Sequence, residues 1–525
     1  MGTTADKLNY LSNTKSLIKN AIVNKGQTVN SGDSFRSFAS KIENIQTGVD
    51  LNDYWNMNPT YGAYSIYALI KQFPENINTS NWSNMSNFFS HWGGSAGSGS
   101  MPNIPKWNVS NVKDMTNLFL NCKATQTNIT NLIYWDTSNV TNMTNVFAGT
   151  TFIQNIPNWN TSKVTNLYSA FNQCRNLRNM PNWDTTKVID MSYMYNHCEN
   201  LTTIPNFNTS NVTKMTSMFN YCNNLTTVPN LNTINVVETQ NMFCCCNKLT
   251  TVPNLNTGKV TNMYSMFRVC KNLTAIPQLN FDSADNIVYI FSQCNQGLTT
   301  ISDVNITRLG GVIMNGYGMF SDCSNVQSVS NLTIGNINNA YWIFQNCINL
   351  VNISNLKMYN IGRMSSSFNN CKKLDTISNS MFININGTSM IYDGTSIKNF
   401  ININLKNSSA GEFGRNCQYL ITAVNFDVYN VTNTVLMFYQ CYNLINFSIF
   451  NTSNLQRIER MFGYCNNLSD ASIQNIINMC LNSNVMTSYK NLHNSNSGSP
   501  FYWTNIANTR YQNRWSELTA AGWTY

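Results

Sequence analysis

Six cysteines, Cys174, Cys198, Cys222, Cys246, Cys270 and Cys294, follow one another at intervals of 24 residues. A chain that repeats an apolar position at a fixed period has to stack its repeats, because a single unit of that size cannot bury its own apolar side. The register resumes at Cys323, Cys347 and Cys371 after a five-residue insertion in the region Arg308 to Gly318, and again at Cys417, Cys441 and Cys465. An aromatic precedes most of these cysteines by three residues, as at Phe119, Phe171, Tyr195, Phe219, Phe267 and Phe344. A leucine follows most of them by three, as at Leu177, Leu225, Leu273 and Leu350.

One clean unit runs from Asn211 to Thr233, with Val212, Met215, Met218, Phe219, Cys222, Leu225, Val228 and Leu231 as its apolar members. The three-and-four spacing from Val212 to Phe219 predicts one or two helical turns. The β-branched stretch with Pro229, from Leu225 to Leu231, predicts a short extended segment, and Asn-Thr residues turn the chain back. The expected fold is a solenoid of the leucine-rich-repeat type, with a short strand and a short helical turn in each repeat of about 24 residues. Counting degenerate coils such as those around Phe89, Phe147 and Tyr392, there are about sixteen coils.

An open stack needs covers at its ends. Residues 469–525 read as a C-terminal cap: Ile473, Ile476, Ile477, Cys480 and Leu481 share a helical face behind Ser469 or Asp470, and a second amphipathic stretch, Tyr511 to Ala521, stops at Gly522. Residues 76–468 form the solenoid and 49–75 a linker or N-terminal cap. Residues 1–48 carry a helical stripe of Leu8, Leu11, Ile18 and Ile22, a break at Gly26, and a second stripe of Phe35, Phe38, Ile42 and Ile45.

The string Met218-Phe219-x-x-Cys222-x-x-Leu225 resembles the BspA-like leucine-rich repeats, a class that includes lipoproteins and phage proteins of low-GC bacteria. The resemblance covers about residues 80 to 468 and departs at Thr150, Thr395 and Gly414, where ladder residues are replaced. It implies a right-handed solenoid with a binding or adhesive role. The order of the N-terminal segment, from Thr3-Thr4-Ala5-Asp6 to Asp33-Ser34-Phe35, and the closing Leu518-x-x-Ala521-Gly522-Trp523 resemble segments of phage tail and baseplate proteins. That likeness implies a tail-fibre or baseplate-tip protein on a virion, binding a host surface glycan or protein. Residues 1–48 would then join it to other tail proteins or to further copies of itself. The alternative is a BspA-like adhesin on a bacterial cell surface.

Only 10% of residues are charged against 42% hydrophobic, so Asn, Thr and Ser must supply most of the polar surface. The formal charge of +9 is dispersed without the clustered Lys and Arg of a nucleic-acid footprint, so no nucleic-acid partner is expected. The best apolar run, Tyr64 to Ile70, is too short to cross a membrane, and Asp6, Lys7, Lys15 and Lys19 interrupt the start where a secretory signal would lie.

Sixteen cysteines raise disulfide and metal readings. Stacked cysteines that all point the same way lack the mutual geometry of a disulfide, and with only His91, His197 and His493 there are no paired ligand spacings, so a buried ladder of free thiols is expected, with no metal and no cofactor. Cys244, Cys245 and Cys246 form the one local cluster. Trp107, Trp135, Trp159 and Trp183 recur at one repeat position and are the candidate ligand-binding residues, since exposed indoles could stack on sugar rings. Their replacement by Leu231 and Leu255 in later coils favours core filling instead. Asp136 and Asp184 alternate with Asn160 and Asn208 at a turn position, which reads as turn chemistry rather than a catalytic pair, and no enzymatic activity is expected.

Overall fold

The backbone N–H groups decide how each coil is built, and in the computed structural model they divide into two sets. The structure describes residues 4–24, 29, 79–80, 82–92, 103–308, 313–389, 391–392, 394–450, 452–483 and 515–523. They belong to two units, Met1–Cys222 and Asn223–Tyr525.

In the first unit, Met115, Asn117, Phe119 and Asn121 donate to the carbonyls of Asn142, Thr144, Val146 and Ala148 in the following coil, at 3.0, 2.8, 2.8 and 2.6 Å. The N–H groups between them turn inward: Leu118, Leu120 and Cys122 bond to the carbonyls of Met115, Asn117 and Phe119. This segment, read from the sequence as helical, is a run of linked β-turns. Asn117 and Asn121 hold φ values of 56° and 54°, and the pattern recurs at Ser169 and Gln173, Tyr193 and His197, and Ser217 and Tyr221. A helix would keep every N–H within the coil. Placing a left-handed residue two positions on each side of the ladder aromatic frees alternate N–H groups to reach the neighbouring coil instead. The coils are joined in parallel by bridges from Asn84 to Asp114, Asn142, Asn166, Asp190 and Lys214. At the start of the chain, α1 (Thr4–Asn24) buries Ile18 and Ile22. Phe35, Phe38, Ile42 and Ile45 lie outside the described residues.

The second unit repeats the linked turns, with Ser265 and Val269 or Tyr289 and Gln293 at positive φ, and adds true strands. Proline explains where they begin. Coils with Pro205, Pro229, Pro253 or Pro277 in the extended segment carry no strand there, because proline has no N–H to give a sheet. Ser302, Ser330, Ser354 and Ser378 occupy that place in the next coils, and each sits in a strand. One row is β1 (Thr300–Ser302), β3 (Ser328–Ser330), β5 (Asn352–Ser354) and β7 (Thr376–Ser378); a second is β2 (Asn305–Ile306), β4 (Thr333–Asn339), β6 (Lys357–Ser365) and β8 (Met381–Ile385). β9 (Thr388–Ser389) pairs with β6, and β10 (Asn399–Asn404) joins the rows by pairing with both β7 and β8. β11 (Thr422–Asp427) and β12 (Asn446–Phe447) continue from it, and all pairings are parallel.

The last strand is closed by side chains. α2 (Asp470–Leu481) begins at Ser469, whose side chain accepts from the N–H of Ser472, and it packs on β12. Ser472 Oγ accepts from the N–H of Phe447 and donates to the carbonyl of Ile445, while Asn475 Nδ2 donates to the carbonyl of Phe447 at 3.0 Å. These groups satisfy an edge that would otherwise pair with another chain. α3 (Trp515–Ala520) packs against α2 and ends at Gly522, whose φ of 84° suits the left-handed stop.

Candidate functional site

The interior of each unit consists of ladders. In the first, Phe89, Phe119, Phe147, Phe171, Tyr195 and Phe219 stack with centroids 5.0 to 5.8 Å apart. In the second, Phe243 to Tyr392 do the same, and the series is interrupted at Gly414, where Phe400 and Phe413 turn edge-on or tilted to fill the space beside Tyr392. Each buried ring contributes about 1.5–3 kcal/mol by leaving water.

The cysteines are buried and free. Ladder cysteines share one hydrogen bond, from the thiol to the carbonyl of the aromatic one coil back: Cys174 to Phe147 at 3.0 Å, Cys198 to Phe171 at 3.1 Å, Cys270 to Phe243 at 3.1 Å, Cys371 to Phe344 at 3.1 Å; Cys441 makes it to Gly414, which stands at the aromatic position. Cysteine fits because it is small and apolar yet still a weak donor. Burial pushes the Cys122, Cys174 and Cys323 thiols up to about 12, which keeps them protonated and able to donate. Cys244 and Cys245 Sγ lie 3.7 Å apart, hydrogen-bonded thiol to thiol and not joined by a disulfide. Among the described residues no cluster of three His, Cys, Asp or Glu could hold a metal ion.

The tryptophans are a correction to the candidate ligand surface. Trp107, Trp135, Trp159 and Trp183 are at most 4% exposed and stack on one another at 6.1 to 6.3 Å. With neighbours on their ring faces they cannot offer a platform to a sugar. Three of the indole N–H groups also bond internally: Trp135 donates to the carbonyl of Pro105, Trp159 to Leu132 and Trp183 to Pro157. Asp136 and Asp184 sit where the turn needs an acceptor, taking the N–H of Ser138 and Thr186 as Asn160 takes that of Ser162. Hydrogen bonds from Ser138 and Thr186 hold both carboxyls below the usual carboxylate range.

The aromatic residues that do meet solvent are others. In the second unit Tyr264, Tyr289, Tyr317 and Trp342 come from four successive coils, alternately three and two positions ahead of the ladder phenylalanine. Their rings meet edge to face, with centroids 6.5, 5.2 and 6.1 Å apart and planes at 78°, 85° and 89°. Trp342 is 40% exposed and the tyrosines half-buried. The Arg268 guanidinium stands 5.6 Å from the Tyr289 ring, and burial, with Tyr317 and Tyr264 next, raises the Tyr289 hydroxyl above its ordinary value. Gly318 lies under Tyr289, where a Cβ would strike the ring. The coils of Tyr317 and Trp342 and the one after them also carry an amide ladder: Asn346 donates to Asp322 and Asn370 to Asn346, each at 2.8 Å. Aligning the coils in frame would have revealed the alternating tyrosines; a search for aromatics at one fixed repeat position passes over them.

Three solved structures are similar over part of the chain. A leucine-rich-repeat protein from Bacteroides ovatus is 18% identical, covering 51% of this chain and 75% of its own, with a TM-score of 0.25. A plant peptide hormone receptor in complex with its peptide is 10% identical, covering 69% and 76%, with a TM-score of 0.17. A leucine-rich-repeat protein from Leptospira interrogans is 13% identical, covering 72% and 95%, with a TM-score of 0.19. No curated protein matches the chain. A repeat family matches residues 33–132, 83–203, 123–228, 196–304, 314–412 and 412–497, and this match supports the BspA-like leucine-rich-repeat reading. Since those matches run over most of the chain and through the coils that carry its aromatic, thiol and leucine ladders, the protein belongs to the family described as Mycoplasma protein of unknown function, DUF285.

Proposed function

We propose that this protein is a binding protein that recognises a ligand on a bacterial surface, a glycan or a protein, through side chains displayed by its coils. The observation that carries this reading is the stripe of Tyr264, Tyr289, Tyr317 and Trp342. The coils on either side have Gln240 and Asn241 or Ser365 and Ser366 at the same two positions, with Asn241 and Ser366 in the same left-handed conformation. The fold therefore does not require aromatics there, and partly exposed aromatic rings are the side chains that most often anchor recognition. Binding proceeds without turnover in this reading.

The carrier of this surface is a phage tail fibre or baseplate tip, joined to other tail proteins or to further copies through residues 1–48. The alternative carrier is a bacterial cell surface, with the protein an adhesin of the BspA-like type; the family match does not choose between them, and the binding chemistry is the same in both. Saturable binding of the labelled full chain to bacterial cells is the expected result, and the absence of any saturable component would overturn the reading. Immunogold labelling separates the carriers: label on virion tails supports the phage reading, and label on the producing cell's surface supports the adhesin.

A further inference from the structure

We infer that the stripe of Tyr264, Tyr289, Tyr317 and Trp342 is a binding site for an extended, uncharged polysaccharide chain laid across successive coils. This rests on the binding function proposed above and names its ligand class.

Three features of the surface lead there. The ring centroids advance by 5.2 to 6.5 Å from coil to coil, close to the length of one pyranose ring in an extended chain, so successive sugars meet successive aromatics. The ladder of Asp322, Asn346 and Asn370 offers amide and carboxylate groups to sugar hydroxyls in the coils of Tyr317 and Trp342 and in the coil that follows them. Its members are already bonded to one another, so they are fixed in place before a ligand arrives, which lowers the entropic cost of binding. Finally, the charge at the stripe is limited and mixed: Arg268 rests on Tyr289, and Asp322 is close enough to raise the Tyr289 hydroxyl. A polyanion would meet Asp322, and a polycation would meet Arg268. A chain of neutral sugars, with apolar C–H faces and a rim of hydroxyls, matches aromatic faces flanked by amides.

The chemistry also accounts for the alternation. Rings at one fixed repeat position would stack face to face, as the buried phenylalanines do, and cover one another. Shifting every second ring by one residue turns neighbours edge to face, so that they do not stack flat on one another. Gly318 lets Tyr289 lie down in this way, since a side chain there would lift it.

The test uses the full-length protein, Tyr289→Ala and Trp342→Ala, on a panel of immobilised neutral polysaccharides (β-glucan, mannan, galactan and dextran), with heparin and hyaluronate as anionic controls. The expected result is retention on at least one neutral polysaccharide, weakened about ten-fold or more by each substitution, insensitive to salt, with thermal melting little changed. No retention on any neutral polysaccharide, salt-sensitive retention on the anionic ones alone, or retention unaltered in both variants would overturn the proposal. Binding to bacterial cells is measured in parallel. If cells bind the wild type and both variants equally, the glycan site fails while the wider function stands; if cells bind none of them, the wider function fails as well.

Discussion

The hydroxyl of Thr150 donates to the carbonyl of Phe119 across 3.0 Å. Thr150 stands where the other coils have cysteine, and its bond is the one Cys174 makes to Phe147. What the position requires is therefore a small donor for a buried carbonyl, and sulfur is one way to meet that need. Cys198→Val removes this donor at nearly constant volume and leaves the Phe171 carbonyl with the Cys174 N–H alone, at a cost of about 0.5–1.5 kcal/mol. Cys198→Thr restores a donor. Denaturant unfolding should rank the variants wild type, then Thr, then Val; equal stability of Thr and Val would show that the bond contributes nothing.

The same burial makes the fold sensitive to alkali. An unfolded thiol ionises near 8.5, whereas the folded Cys122, Cys174 and Cys323 are pushed up to about 12. A folded pKa above the unfolded one gives stability that is complete below the lower value and disappears as pH rises through the higher. Each such thiol should therefore remove about 1.4 kcal/mol per pH unit between roughly pH 8.5 and 12. The denaturation midpoint should fall steeply across that window, and less steeply in Cys174→Thr, which has nothing to ionise there. A flat profile would count against buried, protonated thiols.

The ladder spacing made the solenoid legible, because a 24-residue recurrence of Phe, Cys and Leu leaves little choice but stacking. The linked turns were hidden: Val212, Met215, Met218 and Phe219 have a helical spacing whether alternate N–H groups point along the coil or across it. The left-handed positions carry Ser217, Tyr221, Val269 and Trp342 as readily as Asn117, so glycine and asparagine do not mark them. The tryptophans stood out as ligand candidates, although core filling was favoured, for a related reason. Tryptophans at a constant repeat position are conspicuous in sequence because they stack, and stacking is what buries them.

Proline is the residue that withholds a strand, so moving it should move the strand. Ser330 lies in β3, paired with Ser302 on one side and Ser354 on the other. Ser330→Pro puts a residue without an N–H in the middle of the sheet, and about 3 kcal/mol or more of stability should be lost. Hydrogen exchange should quicken in β1 and β5 as well as β3. The reverse change, Pro277→Ser, should slow exchange around residue 277. No change of protection in either variant would separate proline from strand formation.

The closing helix supplies the last test. Ser472 Oγ bonds both to the N–H of Phe447 and to the carbonyl of Ile445, so one hydroxyl ties off two groups of the terminal strand. Ser472→Ala leaves the Phe447 N–H without that partner and the Ile445 carbonyl with the Ser469 N–H alone, and about 1–3 kcal/mol should be lost. The consequence is local before it is global. β12 frays first, and its freed N–H and C=O groups become an edge that a second chain can extend. Light scattering should show concentration-dependent association of the variant at temperatures where the wild type stays dispersed, with exchange at Phe447 quickening ahead of the core. A variant that loses stability and remains dispersed would mean that α2 stabilises the stack by burying Ile473 and Ile476, and that closing the strand edge is not its task.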